Sequence, residues 1–575
     1  MSGQLAQRWW LALTGAFGGL LLWALVEAVD RDLMGDRLVV VLLALVVTGF
    51  AAALAMAGPI GLVRAAPRAL GLGLVVAGLV WLAGLSHAAA DDIFNSALPV
   101  LALLVVAALP VPFLIAHARG NWRDYGALFL EAWSVVVRFA AAWAFVGLVW
   151  LVLFLSDQVL GIVGITLIGD LLDRPIVAMV ATGAALGLGM AVVFELVELL
   201  SPYLVLRLFR LLLPVVLAVM VVFLVALPFR GLEGVFNGLS PALLLLAMVA
   251  VGVSLVSITV DQSDGDATDS PLLRRAAQGM ALILPVLAGF GAWAIWLRVD
   301  QHGWTPERLF VAMVAGLGLV YGVLYAVAVL RGPGWMARIR QGNLGMALLV
   351  IGLAALWLTP VLNAERISAA SQLARFEAGR TAVADLDLRA LEGWGLAGER
   401  VLATLAERAK QPGHEALAAV LAGEVPDDSA DVAAAAMALA AAMPVQPATA
   451  TGTRDTLLLS AADYMLSDWQ AVCDRKLADG GPACLLVVAD LLPRLPGEEG
   501  MLILERSADY VEVLGLYLGP DGTLVTRTAL RPDGGYPGAE EAAGLLRAWR
   551  LAPPPLTPAL LNQLGTDETG LMILP

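Results

Sequence analysis

The sequence predicts a mainly α fold, a polytopic helical membrane bundle of about eleven transmembrane helices followed by an extramembrane α+β module. Three observations carry this. Of the 575 residues 60% are hydrophobic and 15% charged, against roughly 25% charged in an ordinary soluble domain. Eleven apolar stretches have the length of about 20 residues that a helix needs to cross a bilayer. Charge is also unevenly divided, with 20 acids and 19 arginines in residues 1–363 but 29 acids and 16 bases in residues 364–575. The net charge of -14 therefore falls almost wholly in the last third. No basic surface for nucleic acid is present, so the partners implied are membrane lipids and, for the acidic module, a protein.

The spans are 9–28, 38–63, 69–90, 97–117, 135–155, 175–200, 203–228, 240–260, 276–297, 308–330 and 344–363. The first opens at Trp9-Trp10 and lacks a small-residue cleavage pattern, which marks a retained helix rather than a removed signal peptide. Arginine bias orients the bundle. With the N-terminus in the cytoplasm, thirteen arginines, among them Arg64, Arg119, Arg138, Arg207, Arg210 and Arg340, fall inside, and six fall outside. An odd number of spans then carries the C-terminal domain to the far side. The apolar piece 158–169, bounded by Asp157 and Asp170, is too short to span and suits a re-entrant or surface helix.

Residues 175–228 would make a helix of about 80 Å, too long for a core of about 30 Å. Ser201-Pro202 is the expected break, because proline removes a helix donor and clashes with the preceding turn. Glu195 and Glu198 then share a face of the helix entering the turn, and Arg207 and Arg210 share a face of the helix leaving it. The expectation is a clasp at the membrane interface, where arginines snorkel to water. The alternative is a proton or substrate site. Arg138 lies one turn into the fifth span, on a segment with Asp124 and Glu131 that reads as an interfacial amphipathic helix leading into the membrane. Gly183/Gly187 and Gly318/Gly322 have the spacing for close helix approach.

Chemistry-bearing motifs are missing. Four histidines and two cysteines, with no HExxH or paired CxxC, leave no metal site. A GxxxxGK[ST] phosphate loop and a GxSxG elbow are also lacking. No catalytic residue and no cofactor is therefore assigned.

Beyond Asn363 the chain divides into a helical connector at 364–443, a linker at 444–454 rich in Pro and Thr, and a small α+β domain at 455–575. In that domain 457–478 reads as one helix, "CLLVVAD", "MLILER", "YVEVLGLYL" and "TLVTRTAL" as strands, and 538–550 as a closing helix. Cys473 and Cys484 bracket the turn "DRKLADGGPA". On the far side of the membrane they suit a disulfide; the alternative is two buried thiols.

The segment "RVDQHGWTPERLF" at 298–310 and "NAERISAASQLARFEAG" at 363–379 resemble the shared motifs of the bacterial family named domain of unknown function 4153. The matching positions are Gly303, Thr305, Pro306 and Arg308 in the first, and Ser368, Gln372 and Arg375 in the second. The resemblance covers most of residues 1–380 and implies a bacterial inner-membrane protein with many spans; the periplasmic side of the C-terminal domain follows instead from the arginine bias and the odd span count. The resemblance implies no reaction. Both segments lie at one membrane face, Thr305-Pro306 has helix-start chemistry, and Ser368, Gln372 and Arg375 form one helical stripe. They serve as a structural cap or as a recognition surface. The leading expectation is an anchor or scaffold that presents a partner-binding periplasmic domain. A secondary transporter built around Glu195, Glu198, Arg138, Arg207 and Arg210 is the alternative, and a membrane-embedded transferase ranks third.

Overall fold

The computed structural model describes the chain except residues 1, 32, 88–92, 95, 196–201, 231–240, 384, 423–428, 494, 508–509, 520–521, 533, 559–562, 565–570 and 573–575. It divides into two compact units, Met1–Leu417 and Ala418–Pro575.

The first unit is helical. Its elements are α1 (Ser2–Asp30), α2 (Asp36–Ile60), α3 (Leu62–Gly84), α4 (Ala97–Ala108), α5 (Pro110–Ala118), α6 (Tyr125–Ile162), α7 (Leu167–Leu172), α8 (Pro175–Glu195) and α9 (Pro202–Arg230). They continue with α10 (Pro241–Val260), α11 (Pro271–His302), α12 (Pro306–Leu330), α13 (Trp335–Trp357), α14 (Ala364–Glu377), α15 (Leu388–Glu392), α16 (Gly395–Ala409) and α17 (Glu415–Leu421), the last straddling the unit boundary. Among the described residues eleven spans are long and apolar enough to cross a bilayer, with α4 and α5 forming one of them. The protein is a multi-pass integral membrane protein. Several helices begin where proline sits at the first position, Pro175, Pro202, Pro241, Pro271 and Pro306, because its missing N–H is an orphan there in any case.

The helix around Glu131 leads directly into the fifth span. Asp124 caps α6, accepting from Gly126 N at 3.0 Å, and the helix then runs unbroken through the fifth span to Ile162. The apolar piece 158–169 is correspondingly split between the end of α6 and the start of α7.

Backbone contact joins α1 to α8. A β-carbon on Gly15 would lie 1.9 Å from Gly183 O, and one on Gly187 would lie 2.1 Å from Leu11 O. Only glycine permits that approach, which serves association where lipid tails compete equally for apolar surface. Gly322 plays the same part against Pro285 of α11, whose nitrogen would lie 2.7 Å from an added β-carbon. The middle of α11 is the core of this half: Met280, Leu284, Leu287 and Ala288 are all fully buried.

Loop contacts sort the helix ends into two sets. Arg37 donates to His87 O at 2.9 Å, Asn363 Nδ2 to Ser86 Oγ at 2.9 Å, and Leu396 N to Ser86 O at 3.1 Å. At the opposite ends, Arg119 donates to Pro59 O at 3.2 Å and Arg340 Nη2 to Val260 O at 2.9 Å. Each pairing joins loops that alternate threading of eleven spans brings to the same face.

The second unit contains α18 (Ser429–Ala442), β1 (Val445–Gln446), α19 (Thr451–Leu459), α20 (Asp463–Cys473), β2 (Cys484–Ala489), β3 (Glu499–Ser507), β4 (Tyr510–Leu518), β5 (Leu524–Thr528) and α21 (Ala539–Leu551), then a short pair β6 (Gln563–Leu564) and β7 (Leu571–Met572). The main sheet has the order β1-β2-β3-β4-β5, with β1 parallel to β2 and the rest an antiparallel meander. Alternation along the strands separates two apolar layers. Leu486, Val488, Leu502, Leu504 and Leu516 pack with α18, α19 and α20, while Leu485, Val487, Ile503 and Val513 pack with α21.

Three expectations change here. Residues 444–454 contain β1 and the start of α19, because the backbone of Val445-Gln446 finds partners at Leu486-Val487 despite its linker composition. The single helix expected at 457–478 is two, broken at Ser460 to Ala462. The Ala-rich helix assigned to the connector contributes Ala436, Leu439 and Met443 to the core of the second unit. Cys473 and Cys484 form the expected disulfide, with α-carbons 5.0 Å apart and both residues buried. Arg550 braces the intervening turn, pairing with Asp479 and donating to Pro482 O at 2.8 Å.

Candidate functional site: a guanidinium clamp and cavity at one end of the bundle

The two motif segments meet. Helix α11 ends at Gly303, whose φ of +76° favours glycine, and α12 begins two residues later with Thr305 Oγ1 accepting from Arg308 N at 3.3 Å. The last carbonyls of α11 have no partner within the helix. Side chains supply them. Arg375 donates from Nη1 to Asp300 O at 2.9 Å and from Nη2 to Gln301 O at 2.6 Å, and Gln372 Nε2 donates to His302 O at 3.1 Å and Trp304 O at 2.9 Å. Arg308 Nη1 closes the turn on His302 O at 3.2 Å and Gly303 O at 2.8 Å.

Two cations therefore stand at a helix C-terminus, where the macrodipole favours them. Pro306 lies buried at the start of α12, and Ser368 is buried on α14 without a hydrogen-bond partner for its Oγ. The hydroxyl that joins the clamp is that of Ser371, which accepts from Trp304 N at 3.2 Å. Sequence reasoning missed it although its spacing, three residues after Ser368 and four before Arg375, puts it on the same helical face.

Beside the clamp lies a cavity of about 470 Å³. Arg308, Gln372 and Arg375 form one wall, and Arg380, Asp385, Asp387 and Trp394 from the chain between α14 and α16 form the other. Asp387 is committed to capping α15, accepting from Ala390 N at 2.9 Å.

Of the four charges near the Pro202 turn, the structure describes the two arginines. The side chain of Glu195 and all of Glu198 lie outside the described residues. Arg207 is exposed. Arg210 pairs with Asp261, whose side chain is 1% exposed, at the end of α10. Asp261 sits at φ +54°, a conformation Asp tolerates, and its own carbonyl accepts from Arg340 Nε at 3.1 Å. Arg340 also pairs with Asp264 at 2.7 Å. In the same loop Ser263, then Gln262, donates to the Asp266 carboxylate and holds it below the usual range. Arg138 pairs with Glu131 at 3.7 Å, stacks 4.9 Å over Phe194, and shares Glu131 with Arg119.

Deeper in the bundle is a polar quartet. Tyr325 OH donates to Asn343 Oδ1 at 2.6 Å and lies 2.8 Å from Ser257 Oγ, while Asn343 Nδ2 donates to Tyr125 OH at 3.1 Å and Ser257 Oγ at 3.2 Å. These groups satisfy one another, as buried polar groups in a membrane must. A second cavity of about 590 Å³ opens between α1, α2, α6 and α8, and its walls are almost wholly apolar. Neither cavity is lined by Arg138, Arg210, Asp261 or the quartet. No cluster of His, Cys, Asp and Glu suited to a metal occurs among the described residues. Comparison of the chain with family models, curated proteins and solved structures returned no match.

Proposed function

We propose that this protein is a membrane-anchored scaffold of the bacterial inner membrane, of the domain of unknown function 4153 type, that presents its C-terminal module to a periplasmic protein partner. The observation that carries this is the pairing of a bundle whose Tyr125–Asn343–Tyr325–Ser257 quartet is spent on itself with a second unit that has its own two-layered core and a disulfide. Thirteen arginines against six support a cytoplasmic N-terminus, and on this reading the odd number of spans leads to an oxidising compartment, which a disulfide suits. An excess of 29 acids over 16 bases in residues 364–575 suits a partner with a basic face. Alkaline phosphatase fused after Ala422 should be active, and a reporter that needs the cytoplasm should be silent there. The reverse pattern sinks the reading.

A transporter is the second reading, favoured by the charged and polar residues within the bundle, Arg210, Asp261 and the Tyr125–Asn343–Tyr325–Ser257 quartet. Its test is solute or proton flux in proteoliposomes. Flux abolished by Asn343→Leu in a protein of unchanged stability would replace the scaffold.

A further inference from the structure

We propose that the 470 Å³ cavity beside the α11 cap binds a phosphodiester that carries a hydrogen-bond donor, such as a lipid headgroup with hydroxyl or ammonium groups. The inference goes beyond the scaffold reading and is independent of the C-terminal unit, since all its residues lie before Leu417.

Three arginines line this space, Arg308, Arg375 and Arg380. A guanidinium has five N–H donors. Arg308 commits only Nη1 to the α11 carbonyls, and Arg375 commits Nη1 and Nη2, each of which carries a second N–H, while its Nε is buried. The carbonyl bonds fix both side chains before any ligand arrives, so little further ordering entropy opposes binding. Arg380 is exposed, and its guanidinium makes no hydrogen bond or ion pair among the described residues. A phosphate offers acceptor oxygens in the geometry that planar arginine forks match.

The opposite wall selects further. Asp387 is spent on Ala390 N, but the carboxylate of Asp385 has no partner among the described residues. An uncommitted acid beside three arginines repels a bare phosphate and accepts from an O–H or N–H on the far side of the ester. Choline headgroups lack such a donor; glycerol and ethanolamine headgroups have one. Depth agrees with this chemistry. The spans of α11 and α12 end and begin at the clamp, and lipid phosphates flank the ends of the hydrocarbon core.

The test uses the full chain in detergent, offered equimolar phosphatidylglycerol, phosphatidylethanolamine and phosphatidylcholine, with native mass spectrometry counting the lipid retained. The glycerol or ethanolamine lipid should be retained about five- to tenfold over the choline lipid. Arg380→Glu should abolish retention without lowering the melting temperature. Asp385→Asn should keep retention but erase the preference against choline, a readout that does not depend on Arg380. Glycerophosphoglycerol, the deacylated headgroup, separates the sources: displacement of the lipid identifies a soluble phosphodiester, and persistence of the lipid identifies a membrane ligand. Equal retention of all three lipids, or an Arg380→Glu protein that binds like the parent, overturns the proposal.

Discussion

The side chain of Arg375 lies across the backbone of Gly303: a β-carbon built on the glycine would be 2.5 Å from Arg375 Cδ and 3.3 Å from its Nε. The arginine thus reaches Asp300 and Gln301 only because position 303 has no side chain and adopts φ +76°. Gly303→Ala should therefore cost about 1–3 kcal/mol through backbone strain and displacement of the clamp. Thermal unfolding of the purified protein measures it, and an unchanged melting temperature refutes it.

Asp261 and Arg210 give a second expectation. With Asp261 1% exposed and Arg210 11% exposed at their side chains, removing the arginine strands a buried carboxylate. Arg210→Ala should destabilise by about 3–5 kcal/mol, whereas the double variant Arg210→Met with Asp261→Asn should recover much of that. A double-mutant cycle that shows simple additivity would exclude the coupling.

The disulfide closes a loop with a sequence separation of 11 residues. Replacing both cysteines by serine should lower the stability of the second unit by about 3 kcal/mol, read by pulse proteolysis of the full chain in urea. In unreduced membranes neither Cys473 nor Cys484 should react with a maleimide. Full labelling of both would remove the bond and the oxidising compartment together.

Acid should loosen the same unit. Arg506, bonded to Asp468 at 2.5 and 2.9 Å, holds that carboxyl below the usual carboxylate range. A depressed folded-state value stabilises above the unfolded value near pH 3.9 and loses its effect as pH falls through the folded value. The pair is partly exposed, 27% at the Arg506 side chain and 48% at Asp468, so the contribution is discounted to below about 1 kcal/mol. Asp468→Asn should lower stability at pH 7 and make no difference near pH 2. A deficit that persists in acid assigns the effect to packing instead.

The spans were legible because an apolar run of bilayer length has few other folded states, and the strands β2 to β5 because their alternation sits between Gly- and Pro-bearing turns. Proline at position 202 likewise marked a helix start. The pairing of Arg210 was not legible: its partner lies 51 residues away on a different helix end, and the nearer Glu195 and Glu198 compete with it on paper. Strand β1 was hidden for a related reason, since two residues carry no periodicity and only the neighbouring β2 makes them a strand. In the clamp, the motif residues Gly303, Thr305, Arg308, Gln372 and Arg375 were visible as two local patterns. Their meeting across about 70 positions was not, because helix spacing fixes a face but never names what that face touches.

The bond from Asn363 to Ser86 spans 277 positions, and the neighbouring Leu396 amide closes on Ser86 as well. During synthesis at about 5–20 residues per second, the turn after α3 waits roughly 15 to 55 s for its partners to emerge. Over that interval the first helices are already inserted while their end remains open, and the clamp that caps α11 cannot yet exist because α14 is still unmade. Maturation of this face is therefore timed by the ribosome, and a chain released before Arg375 would leave a complete set of spans with one end unlatched.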